Sequence, residues 1–105
     1  MEQPNLSYIH SMSGGNKDFE QKLIGIIKQE FPLEKQEYID NITAKNYKLA
    51  ANNVHKLKHK ISILGLEKSY EVAVNYEDNL IDHKTDGQDD FETILQIMTD
   101  FLKTL

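Results

Sequence analysis

A chain of 105 residues, 39% of them hydrophobic, is long enough for one modest core and too short for two ordinary domains, so residues 1–105 are read as a single domain. It has no cysteine, which excludes disulfides, thiolate chemistry and cysteine zinc sites and suits a reducing compartment. The net charge is −5 and all twelve basic residues are lysines, so the arginine forks that read bases or clamp phosphates are missing and nucleic acid is not an expected partner.

Asn5 to Met12 reads as one short helical turn, and Ser13-Gly14-Gly15-Asn16 as a break followed by a helix cap. Phe19, Leu23, Ile26, Ile27 and Phe31 mark an amphipathic helix that Pro32, with no backbone donor, should end or kink. Leu33, Tyr38, Ile39 and Ile42 then continue an apolar face to Thr43, and Ala44 to Asn46 form a short connection. From Tyr47 the apolar residues Ala50, Ala51, Val54, Leu57, Ile61 and Leu64 recur at three- and four-residue steps, which predicts a helix closed by Gly65. Glu67 to about Asp82 carries Leu66, Tyr70, Ala73, Tyr76, Leu80 and Ile81 at helical spacing, with a polar turn over His83 to Gly87. In the last helix Phe91, Ile94, Leu95, Met98, Phe101, Leu102 and Leu105 follow one stripe, and Asp89 and Asp90 complement the positive end of its dipole.

Four long helices with short loops predict an all-α fold, an antiparallel four-helix bundle with a short N-terminal helix, in which each stripe is buried against the others. The aromatic residues Phe19, Phe31, Tyr38, Tyr47, Tyr70, Tyr76, Phe91 and Phe101 are assigned to the core or its edge. Such a bundle needs no second copy, and a monomer is expected. No apolar run approaches the ~20 residues of a membrane span, and residues 1–15 lack the regions of a signal peptide. No membrane insertion and a cytoplasmic location are therefore expected.

The chemistry concentrates in His55-Lys56-Leu57-Lys58-His59-Lys60. On a helix His55 lies beside the apolar stripe, with Lys48, Asn52, His59 and Ser62 around it and Lys58 on the boundary. Lys45, Lys48, Lys56, Lys58 and Lys60 form a basic cluster in an acidic chain, which would attract an acidic or phosphorylated partner. A surface histidine without a role is the default for a lone histidine. No serine or cysteine triad and no glycine-rich phosphate loop is present, so hydrolase chemistry and ATP are not expected. His55 and His59, four apart, have the spacing of a helical zinc pair, but Lys-Leu-Lys lies between them and lysines repel a cation, so no metal is assigned.

The run His55-x-Leu57-Lys58, continuing to Leu64-Gly65, resembles the signature of histidine-containing phosphotransfer domains, the HPt modules of multistep phosphorelays. The Gly14-Gly15-Asn16-x-x-Phe19 entry, Phe31-Pro32 and Ala73-x-x-Tyr76-Glu77 extend the resemblance over nearly the whole chain. It implies a four-helix bundle whose His55 accepts a phosphoryl group from an aspartyl phosphate on a response-regulator receiver domain, or from a hybrid histidine kinase, and passes it to another receiver. Lys58 would stabilise charge on the phosphoryl oxygens. The carrier would hold no cofactor, Mg²⁺ being supplied by the receiver's acidic pocket. Docking would use Ala51, Asn52 and Ser62, with Lys48 and Lys56 steering an acidic partner face. Two departures stand out. His59 occupies the place of the family's usual glycine, either as a second contact to the phosphoryl group or as a tolerated substitution, and Glu77 lies near where relatives place a glutamine that orients the histidine. The competing reading is a helical adaptor that binds a receiver through the same face without being phosphorylated.

Overall fold

In the computed structural model, which describes residues 2–105, the regular structure is helical throughout: α1 (Ser7–Ser13), α2 (Lys17–Thr43), α3 (Tyr47–Ile63), α4 (Glu67–Ile81) and α5 (Gln88–Leu102). Gly14 (φ 59°) and Gly15 (φ 87°) take the left-handed conformation that ends α1, and the Asn16 side chain then accepts from the Phe19 N–H at 3.0 Å to start α2. The start of α4 is capped from far away in sequence. Glu2 accepts from the Lys68 and Ser69 N–H groups at 3.0 and 2.9 Å. Burial alone would raise its carboxyl pKa, but those backbone donors outweigh it, and the net shift is downward.

The break expected at Pro32 does not occur, and α2 runs through it for 27 residues. Proline forfeits its own bond to the Lys28 carbonyl, a loss of about 3 kcal/mol relative to alanine. Ile24, Ile27 and Phe31 before it and Tyr38 after it are all buried, and such side chains contribute about 1.5–3 kcal/mol each. Tertiary packing therefore keeps both halves in one helix.

α3 packs between α2 and α4, α5 joins α4 to α2, and α1 lies against α2. One core runs through these helices, from Ile9 through Phe31, Val54, Leu57, Ile61 and Leu80 to Phe91 and Met98. Its polar centre is a tyrosine pair. The Tyr38 and Tyr76 hydroxyls are 2.6 Å apart, Tyr38 donates to Glu92 Oε2 at 2.9 Å, and Gln88 Nε2 donates to the same oxygen at 2.9 Å. Burial drives the Tyr38 hydroxyl far above the usual phenolic range and pushes Tyr76 up to about 12, so both remain neutral hydroxyls across the physiological range.

Two of the eight aromatic residues assigned to the core or its edge lie outside it: Phe19 and Tyr70 are exposed. Ile26, Leu33, Ile39 and Ile81 are exposed as well. On a continuous α2, Phe19, Ile26 and Leu33 fall seven apart on the outer side, whereas Ile27, Phe31 and Tyr38 take the buried one. Among the described residues no helix is long and apolar enough to cross a membrane.

Candidate functional site

α3 builds the site by what it must bury. Ala50, Ala51, Val54, Leu57 and Ile61 go into the core, so the opposite edge of the helix, with Lys48, Asn52, His55, His59 and Ser62, is left facing outward. Ala51, expected in the docking surface, is only 4% exposed. It belongs to the core, because it lies three residues before Val54 on the buried stripe.

The His55 side chain is 58% exposed, and its Nδ1 lies 3.3 Å from Glu77 Oε2 on α4. The other carboxylate oxygen, Oε1, is 2.8 Å from Lys58 Nζ. A single carboxylate thus faces both the imidazole and the lysine one turn along. A carboxylate beside Nδ1 favours the tautomer with its proton there, which leaves the lone pair on Nε2 for an incoming electrophile. Lys58 is largely enclosed: its stem is covered and its ammonium lies 5.7 Å from the centroid of the Tyr70 ring. That contact accounts for an exposed tyrosine at this position. The His59 ring meets His55 edge to face, with centroids 5.6 Å apart. Among the described residues no group of three or more histidine and acidic side chains is arranged to hold a metal ion.

The lysine cluster divides when folded. Lys48 and Lys56 are exposed beside His55, as is Lys45 at the start of the helix. Lys60 turns the other way and pairs with Glu30 at 2.9 Å and Glu34 at 3.2 Å on α2. Burial opposes its charge, but the two carboxylates win and hold its pKa above the usual lysine value. Lys60 ties α3 to α2 and does not contribute to the outward cationic face, which Lys48 and Lys56 carry.

No family model, curated protein or solved structure matches this chain. The site is therefore defined by its geometry.

One part of it escapes a reading of the sequence. Between α2 and α3, next to His55, is a shallow groove of about 420 Å³ lined by Glu37, Asn41, Leu49, Asn52, Asn53 and Lys56. Leu49 is 46% exposed and supplies the apolar surface that Ala51 does not. Asn53 is buried, accepts from Asn41 Nδ2 at 2.6 Å and points its own amide at Glu37 Oε2 at 3.4 Å. The signal for Asn53 was present: it is three residues after Ala50 and four before Leu57, at a stripe position where a polar side chain needs a partner.

Proposed function

We propose that this protein is a phosphocarrier of the histidine-containing phosphotransfer type, with His55 as the phosphoryl acceptor. The observation that carries the reading is the placement of one carboxylate, Glu77, against both His55 Nδ1 and Lys58 Nζ on an otherwise outward-facing helix edge. In the proposed step the Nε2 lone pair attacks the phosphorus of a receiver's aspartyl phosphate. The acyl P–O bond breaks, its electron pair leaves with the receiver's aspartate, and the positive charge that develops on the imidazole is met by Glu77. Lys58 is one turn away and would exchange Glu77 for the phosphoryl oxygens. Mg²⁺ enters with the receiver. The exposed flank made by Lys48, Leu49, Asn52, Lys56 and Ser62 would receive an acidic receiver face, with His59 at its edge.

The reading includes an antiparallel four-helix bundle for α2 to α5, a monomer, and a cytoplasmic location, where receiver domains and histidine kinases carry out this chemistry. The ion pair that already occupies Lys58 favours one alternative, an adaptor that docks on a receiver without accepting phosphate. The test is transfer of labelled phosphoryl from phosphorylated receiver domains of the same organism, with His55→Gln in parallel. Acid-labile label that disappears in the variant supports the carrier. Receiver binding that survives the substitution, with no label in either protein, establishes the adaptor.

A further inference from the structure

On the flank of α2 turned away from Glu37 and Asn41, a second groove of about 410 Å³ runs between α2 and α5. Its floor is apolar, made by Phe31, Pro32, Ile39 and Leu102, and three lysines, Lys28, Lys35 and Lys103, stand around it. No aspartate or glutamate is among the described residues that line it. In a chain of net charge −5, three ammonium groups around an apolar floor are a concentration of charge against the sign of the molecule.

Lys35 is held in place by an uncharged partner, its Nζ donating to Thr99 Oγ1 at 2.9 Å. Lys28 Nζ is already taken up, at 2.7 Å, by the main-chain oxygen of Leu105. The Thr99 hydroxyl donates its own proton to the Leu95 carbonyl at 2.8 Å, which leaves its lone pairs for Lys35. Gln36, also in the lining, directs its amide to Asp40 and not toward a lysine. Pro32 adds an independent observation. A proline inside a helix breaks a local rule, and rules of this kind are broken mostly where function requires it. Here the pyrrolidine ring forms part of the groove floor.

We propose that this groove binds a single-chain amphiphile with one anionic head, a medium-chain carboxylate whose head is taken by Lys35 with Lys103 and whose tail lies along Pro32, Phe31 and Leu102 toward Lys28. The volume falls at the lower end of the range for ligand pockets. From Lys35 back to Lys28 the lining extends roughly 10 Å along α2, about the reach of an extended ten-carbon chain whose head is at Lys35. The site shares no residue with the His55 groove, so it does not depend on the phosphocarrier reading.

The experiment is an NMR titration of the isotopically labelled protein with sodium decanoate below its micelle concentration, with decyltrimethylammonium as a control of opposite charge. Saturable shifts centred on Phe31, Thr99 and Leu102, absent with the cation, are expected. Lys35→Gln should weaken decanoate binding about tenfold, and Lys103→Gln should weaken it less, each variant keeping the native spectrum. No saturable shift, equal shifts with the cation, or shifts centred on exposed Phe19, Ile26 and Leu33 would overturn the proposal.

Discussion

Replacing Glu77 by glutamine keeps an acceptor oxygen for His55 Nδ1 and removes the charge that holds Lys58. At 2.8 Å and an effective dielectric constant of about 20, the Lys58–Glu77 attraction is roughly 6 kcal/mol. Both side chains are less than a fifth exposed, and desolvation offsets most of that energy, leaving about 1 to 2 kcal/mol that a phosphoryl group must overcome to recruit the lysine. Glu77→Gln should therefore shift the phosphorylation equilibrium of His55 about tenfold toward the phosphohistidine, while slowing the transfer step itself, in which Glu77 meets the charge that develops on the imidazole. The assay is phosphorylation by phosphoramidate, a small donor that requires no receiver, followed by gel separation of the two forms. Lys58→Ala should cost little in the native background, where Glu77 neutralises the lysine, and about tenfold in the Glu77→Gln background. Equal effects of Lys58→Ala in the two backgrounds would mean that Glu77 exerts no hold on the lysine.

Four other outcomes are expected from the fold and the site. Tyr38→Phe leaves the Tyr76 hydroxyl and Glu92 without their buried partner and should cost about 2 kcal/mol in urea unfolding, more than Tyr76→Phe, after which Tyr38 still donates to Glu92. Gly65→Ala should cost about 1–2 kcal/mol, since φ is +76° there and an added Cβ would lie 2.7 Å from Asn5 Nδ2; a melting temperature unchanged from the parent would contradict this. The Glu2 carboxyl is held below the ordinary glutamate value of 4.5, so its cap of α4 contributes fully above that pH and is lost as pH falls through the lower folded value. The stability gap between the parent and Glu2→Gln, about 0.5 kcal/mol at pH 7, should therefore close on acidification, as urea titrations at several pH values would reveal. Leu49→Glu should weaken docking of an acidic receiver about tenfold with no loss of thermal stability, because the side chain is already half exposed.

The helices were legible where apolar residues recur without interruption. α3 and α5 follow their stripes closely, and the glycine and asparagine signals around Gly14, Asn16 and Gly65 lie at the element ends they suggested. The sequence misled where a local rule met tertiary packing. Pro32 reads as a break, but buried residues on both sides keep α2 continuous. Once it is continuous, Leu33 and Ile39 turn outward. Long-range capping was not legible either, since nothing near Lys68 announces that Glu2 will supply its acceptor. At the site, the outward position of His55 followed from helical spacing, and the contact of Glu77 with both His55 and Lys58 needed the relative placement of α3 and α4. Ala51 reads both as part of the apolar stripe and as part of the docking surface, and its burial leaves only the first. A list of nearby lysines could not show that Lys60 is taken by Glu30 and Glu34.

The most direct measurement is the position of the phosphoryl group after incubation with a phosphorylated receiver domain, read by phosphorus–nitrogen correlation NMR on the nitrogen-labelled protein. An acid-labile phosphoryl group bonded to Nε2 of His55 is expected, with Nδ1 keeping its place beside Glu77 and no signal from the His55→Gln variant. A phosphoryl group on His59 or on Nδ1 of His55, or none on a folded protein that binds the receiver, would contradict that expectation.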